Sequence, residues 1–356
     1  MVPKSIQQWL LRVVHLQRNP LLKSRWLLEL GLGVCLAMAA VPLWAVSCTT
    51  QAAMQSADRE ALLASGTTLA AAVAGQNFDL LQSSLLPAVT GDWDGIRGVA
   101  QAAAPLFKGG QIAWSNGYLL DATDLKEPAD TQFFCTTPDS GATITINLRS
   151  LPPGRYALMI GDYDGAPLAG QIALILGADA NAVGKWKLGG IFAREGALDG
   201  RDSVWYWRRA RELGQKSDSW SAWFSYDVAR WLSLPVDFLS SPHLEKLNKE
   251  QMLLKSNPSD LMPLTVTGAS APNAGKTWKI TALHLDATLH TSDLGLTYEG
   301  TGLTDPVAAR AEAVAVMSGL LKLHPELRDS FHGLWAYAEK DGSRSYAIEL
   351  AMHDIP

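Results

Sequence analysis

Asp202 to Leu232 reads DSVWYWRRARELGQKSDSWSAWFSYDVARWL and holds five of the chain's 13 tryptophans, Trp205, Trp207, Trp220, Trp223 and Trp231. Its spacing predicts two helices joined by the polar turn Gly214-Gln215-Lys216-Ser217, with Asp218 or Ser219 capping the second. On that second helix Trp220, Trp223, Phe224 and Trp231 recur at helical intervals, while Ala222, Tyr226 and Ala229 line an adjacent face. A helix apolar over so much of its circumference has to be enclosed by several partners. The five tryptophans are therefore the candidate cleft or domain-interface residues.

Outward from this stretch the chain changes period. Upstream, Asp58 is placed to cap a helix ending at Gly75, and shorter helical runs follow at Phe78–Leu86 and from Asp92 to Phe107. Period-two segments come next, at 111–121, 131–137, 142–149, 155–163, 168–177 and 185–194. Ile144, Ile146 and Leu148 alternate with Thr143, Thr145 and Asn147, as a half-buried antiparallel strand requires. Downstream, residues 255–276 are rich in Pro, Ser, Asn and Gly and read as a linker. Residues 277–356 read as ββαββ, with Asp305 capping and Pro306 opening the helix, and Val307, Ala311, Val314, Ser318 and Leu321 as its buried face. The fold class is α+β: residues 57–200 as one domain, 201–254 as a helical hairpin with a further helix, and 277–356 as a second domain.

The N-terminus points to export. Five basic residues up to Arg25 precede an apolar run that ends at Ala45-Val46-Ser47-Cys48. That ending resembles the lipobox of bacterial lipoproteins, which implies a signal peptide over 1–47, lipidation of Cys48 and a tether over 48–56. The departure is Ala45, where Leu is usual. The other reading is an uncleaved signal anchor, since Leu27 to Val46 is nearly long enough to span a bilayer. Either way the basic flank keeps the N-terminus in the cytoplasm and sends the body to the periplasm, membrane-anchored. With Cys35 in the apolar run and Cys48 lipidated, Cys135 would be left alone, with no intrachain disulfide. The whole chain carries a formal net charge of −5. Without residues 1–47 the balance is 25 basic against 34 acidic residues, which leaves no phosphate-neutralising patch and excludes nucleic acid as a partner.

Gly184-Lys185-Trp186-Lys187-Leu188 closes the first run of strands. Three helices, then long antiparallel strands ending in Gly-x-Trp-Lys, resemble the nuclear transport factor 2-like superfamily, the cystatin-like α+β rolls, over residues 57–200. The resemblance implies a conical pocket that serves catalysis in some members and binding or assembly in others; no catalytic motif of the family is matched here. Gly275-Lys276-Thr277-Trp278 echoes the same motif. Tyr206, Ala210, Leu213, Ala222, Tyr226 and Ala229 fall where a tetratricopeptide repeat places its packing residues, but a single unit cannot make an array and reads as convergent helix packing.

The chemistry-bearing candidates thin out on inspection. His284, Asp286 and His290 share a strand face, yet the first and last stand about 20 Å apart on an extended strand, so no metal and no cofactor is expected. Asp162-Tyr163-Asp164-Gly165 lacks the ligands of a calcium loop and reads as a hairpin turn. Arg208, Arg209 and Arg211 form a charged helix edge. No nucleophile motif or phosphate loop is present. The expected function is a non-enzymatic binding or structural role in the cell envelope, with an envelope protein or an apolar ligand as partner. The alternative is a small-molecule enzyme of the roll superfamily, with a pocket carboxylate such as Asp121 or Asp162 as general base.

Overall fold

A computed structural model describes residues 46–356 apart from Asp139, Pro167 and 269–271. The export segment therefore lies almost wholly outside the described residues. The elements run β1 (Ser47–Thr50), α1 (Ser56–Ala74), α2 (Phe78–Ser83), α3 (Trp93–Phe107), β2 (Gln111–Asp121), β3 (Ala129–Thr136), β4 (Thr143–Leu151), β5 (Arg155–Asp164), β6 (Gly170–Ala178) and β7 (Trp186–Glu195). They continue with α4 (Ser203–Gln215), α5 (Ser219–Ser233), β8 (Leu239–Ser240), α6 (Pro242–Met252), β9 (Leu264–Thr267), β10 (Thr277–Asp286), β11 (Asp293–Glu299), α7 (Pro306–Leu323), β12 (Gly333–Lys340) and β13 (Ser343–Ala351).

The N-terminal unit has three layers. A five-stranded sheet, β1-β2-β5-β6-β7, is antiparallel throughout and carries the helices on one face. There Leu62, Leu69, Val73 and Phe107 interlock with Met159, Leu174, Leu176 and Leu188. The Tyr163 ring stacks on Phe107 at 4.2 Å and its hydroxyl donates to the Ala70 carbonyl at 2.8 Å. Gly66 lets α1 come this near, because a Cβ there would stand 2.9 Å from Met159 Sδ. Asp58 does not cap α1 as expected; it lies in the first turn and pairs with Arg155 at 3.1 Å, tying the helix to the start of β5.

On the opposite face, a second sheet of β3, β4 and β8 folds across the first. Phe133, Cys135 and Ile146 close against Tyr118, Leu120, Leu158 and Ile160. Both spaces beside the large sheet are thus filled with side chains. Two sequence boundaries change here. Residues 48–56 are not a tether, because β1 pairs with β2 through Ser47↔Asp121 to Thr50↔Tyr118. Leu239 pairs with Ile146, and Val236 enters the core between the sheets, so the chain returns to the N-terminal unit in the middle of the expected 201–254 unit.

Cys48 and Cys135 are joined by a disulfide, which links β1 to β3 and so sheet to sheet. The expectation of a lipidated Cys48 and an unpaired Cys135 is corrected on this point. A sulfur in a disulfide has no valence left for a thioether, and β1 holds Cys48 on the sheet beside its partner.

The C-terminal unit is a five-stranded sheet in the order β13-β12-β11-β10-β9, with α7 crossing between the parallel neighbours β11 and β12. Ala313, Val316, Met317 and Leu320 of the helix pack on Leu294, Leu296, Leu334 and Ala336. β9 falls inside the expected linker, where Leu264 and Val266 alternate with threonines and Val266 is buried against the core. Of the buried face expected for α7, Leu321 is buried, but the rest of the face is displaced. Val307 is 76% exposed, whereas Ala309, Glu312, Ala313 and Val316 point inward. Glu312 is tolerated there because it accepts from Thr301 N at 3.2 Å, Tyr298 OH at 3.4 Å and the Thr301 hydroxyl. The two Gly-Lys motifs do open their strands alike. Gly184 and Gly275 take φ of 74° and 78°, and Trp186 and Trp278 are both buried.

The disulfide closes a loop over a sequence separation of 87, and opening such a loop typically costs about 2–5 kcal/mol. Cys135→Ser should lower the melting temperature by several degrees. In the unfolded wild type without reductant, mass spectrometry should find neither the Cys48 nor the Cys135 peptide labelled by maleimide. A labelled Cys135 would contradict the pairing.

Candidate functional site at the junction of the units

Helix α5 runs between the two sheet-bearing units. Asp218 caps it by accepting from Ser221 N at 3.2 Å, as Asp202 caps α4 by accepting from Trp205 N at 2.8 Å. At its first turn Trp220 is buried in the C-terminal core, stacked on His324 with centroids 3.5 Å apart. Phe224 meets Phe331 edge-on at 5.6 Å, and Trp223 packs, half-buried, against the same core. At the other end Trp231 Nε1 donates to Glu195 Oε2 of β7 at 3.1 Å, with the Arg194 guanidinium 4.4 Å over its ring.

The other two tryptophans are placed differently. Trp207 Nε1 donates to Glu250 Oε2 at 2.7 Å inside the helical cluster, while Trp205 is 39% exposed beneath Arg201. Both project from α4, and Trp207 packs against the cluster that α4, α5 and α6 form with Leu285 and Ala287. Arg211 is consumed as well: it grips Glu250 through two bonds of 2.8 and 2.9 Å, a geometry that holds the carboxyl below its ordinary range.

Beside Trp231, polar groups join β7 and its following loop to the turn after β10. Glu195 Oε1 lies 3.0 Å from His290 Nδ1. Asp199 Oδ2 accepts from Ser292 N at 3.1 Å, from the Ser292 hydroxyl, and from Tyr206 OH at 3.2 Å. Burial pushes the Tyr206 hydroxyl up to about 12, so it stays a donor. The sequence carried no sign of this clamp, since its groups lie far apart along the chain.

A cleft of about 310 Å³ opens next to the clamp. Arg194, Asp237, Asp227, Arg230 and Trp231 line one side and Leu283, His284 and Leu285 the other. Arg194 is paired with Asp237 at 2.5 Å, and Arg230 is exposed. Asp227 Oδ1 accepts from Gln251 Nε2 at 2.7 Å, and burial pushes its carboxyl up. A shallower, mostly apolar groove runs along α1 and α2 past Leu63, Thr67, Ala71 and Leu80.

The carboxylates considered for general-base chemistry line neither of these two clefts. Asp121 accepts from Thr123 N at 3.0 Å and from its hydroxyl at 2.6 Å, and Asp162 accepts from Gln171 Nε2 at 3.2 Å. Of the three residues weighed as metal ligands, His284 Nε2 stays 3.9 Å from Asp286 Oδ2 and only His290 leaves the group. The strand ends at Asp286, His290 turns away to Glu195, and Asp286 takes Tyr337 OH and Thr288 N as donors. His284 rests over Gly295 beside Tyr337, where burial pushes its imidazole down.

Sequence reasoning missed a different group on the outer face of the C-terminal sheet. Candidate ligand atoms of Asp293, His332 and Glu349 all lie within 4.8 Å of one another. They come from three neighbouring strands, so no local spacing signals them.

Compared with known proteins, the chain matches no family model, no curated protein and no solved structure. The site's chemistry is therefore read from its geometry alone.

Asp227 gives the cleft a pH signature. The folded protein holds that proton more tightly than the unfolded chain, so the residue's contribution to stability declines as pH rises above the ordinary carboxylate value of about 4. Asp227→Asn keeps the acceptor for Gln251 and removes the charge. Its melting temperature should match or exceed the wild type at neutral pH and vary less across the acid range. A markedly lower value at neutral pH would contradict this.

Proposed function

We propose that the protein is exported, held at the membrane through its N-terminal apolar segment, and acts in the bacterial cell envelope as a non-enzymatic binding or structural component. The observation that carries this reading is the packing of the N-terminal unit. Where a roll enzyme keeps an open pocket, side chains fill the space on both faces of the large sheet. The open, charged space collects at the junction cleft instead. Arginines and aspartates on one wall of that cleft and leucines with His284 on the other suit a partner segment carrying both charge and apolar surface.

Export is supported by the basic and apolar N-terminal pattern and by the disulfide, which persists in oxidising compartments. Among the described residues no helix is long and apolar enough to cross a membrane, so anchorage rests on the segment before Val46. We read the N-terminal unit as a nuclear transport factor 2-like roll whose cone is closed by its own second sheet.

Alkaline phosphatase fused after Pro356 tests the reading. The fusion should be active, sediment with membranes, and become soluble when residues 1–45 are replaced by a cleavable secretion signal. A photo-crosslinker at Arg230 should give an envelope adduct that the same group at exposed Lys340 does not. An inactive fusion would overturn export, and identical crosslinking at both positions would overturn the cleft as a binding surface.

A further inference from the structure

We propose that Asp293, Glu349 and His332 form a binding site for one first-row divalent transition metal ion, Zn²⁺ or Mn²⁺. Strand register builds it. β11 and β12 run parallel with Leu294 opposite Leu334, which brings Asp293 beside Gly333. β13 runs antiparallel to β12 with Glu349 opposite Trp335. His332 immediately precedes β12, and its backbone N–H is fixed to the Ser292 carbonyl at 3.0 Å. Three potential ligands therefore converge from three adjacent strands of one rigid sheet.

Gly333 is the floor of the site. A Cβ there would stand 2.5 Å from Glu349 Oε1 and 3.0 Å from Asp293 Oδ1, so the two carboxylates lean together over the one residue without a side chain. Asp293 is completely buried; its Oδ2 accepts from the Thr291 hydroxyl at 3.0 Å, but its Oδ1 has no hydrogen-bond partner. His332 Nδ1 approaches that oxygen to 3.4 Å without the alignment of a hydrogen bond. Trp335 Nε1, on the same face, is also buried and unpartnered, a donor suited to a metal-bound water.

Two converging carboxylates repel each other, and a buried acceptor without a partner is costly. A dication removes both penalties at once. Burial pushes both carboxyls up, and the Asp293 charge adds to the effect on Glu349.

The ligand set selects the metal. Calcium takes six to eight oxygens and magnesium keeps a shell of oxygen ligands, whereas one imidazole with two carboxylates suits zinc or manganese. Ligand atoms around such an ion stand about 3–3.5 Å apart, given bonds of about 2.1 Å. The present separations, within 4.8 Å, are of that order. His332 is 52% exposed, which leaves an entry path and room for water ligands.

The test is calorimetric titration of the full chain in detergent, stripped with chelator, with ZnCl₂ and separately with MnCl₂. One ion should bind per chain. His332→Ala and Glu349→Gln should each weaken binding at least tenfold, while His353→Ala, an exposed neighbour, should not. His332→Ala alters a half-exposed ring and keeps the backbone bond, so it remains informative if Glu349→Gln fails to fold. Absence of one-to-one binding by either ion, or equal binding by His332→Ala and wild type, would overturn the site.

Discussion

The arrangement depends on one helix belonging to two bodies. Trp220 and Trp231 stand eleven residues apart on α5, about 16 Å along its axis. The first is stacked on His324 inside the C-terminal core, and the second is bonded to Glu195 at the end of the N-terminal sheet. Neither unit offers α5 a complete apolar surround. Together, with α4 and α6 on its remaining sides, they do, and this is why a helix apolar over most of its circumference is stable here. Apolar burial supplies the energy of the joint and the Glu195–His290 and Asp199–Ser292 contacts supply its register, since directional bonds fix which loop meets which.

The two sheet-bearing units treat their polar residues in opposite ways. The N-terminal unit packs both faces of its large sheet and staples the layers with a disulfide, so its ionisable groups are pushed to edges and turns. The C-terminal unit packs one face of its sheet against α7 and the first turns of α5. Its other face keeps Asp286, Asp293, Glu349, Tyr337 and His284 in partly dry surroundings, where burial moves the carboxyls of Asp293 and Glu349 up and the imidazole of His284 down. Groups poised in this way on a rigid sheet mark where chemistry or binding concentrates.

Much of the fold was legible because its signals are local. Asp218 caps its helix, Pro306 follows the Asp305 cap, and the Ile144–Ile146–Leu148 alternation is a strand, since each rests on neighbouring residues alone. The errors have equally physical causes. α7 is apolar nearly all round, so its period does not fix its phase, and a satisfied Glu312 faces inward. β9 is too short to stand out in a turn-rich segment. Cys48 looked like the end of a leader because the strand it belongs to is recognisable only once β2 is beside it. The clamp and the Asp293–His332–Glu349 group were invisible for the same reason: they exist only after non-sequential strands are brought into register.

The claim that α5 couples the two units is tested most directly by differential scanning calorimetry of Trp220→Ala. Truncating a buried aromatic of this size costs about 3–5 kcal/mol, and here the loss falls on the contact between α5 and the C-terminal core. The account predicts that a single wild-type transition resolves into two, with the C-terminal unit melting first while the disulfide-stapled N-terminal unit keeps its own transition. A single transition in Trp220→Ala at the wild-type temperature would contradict it.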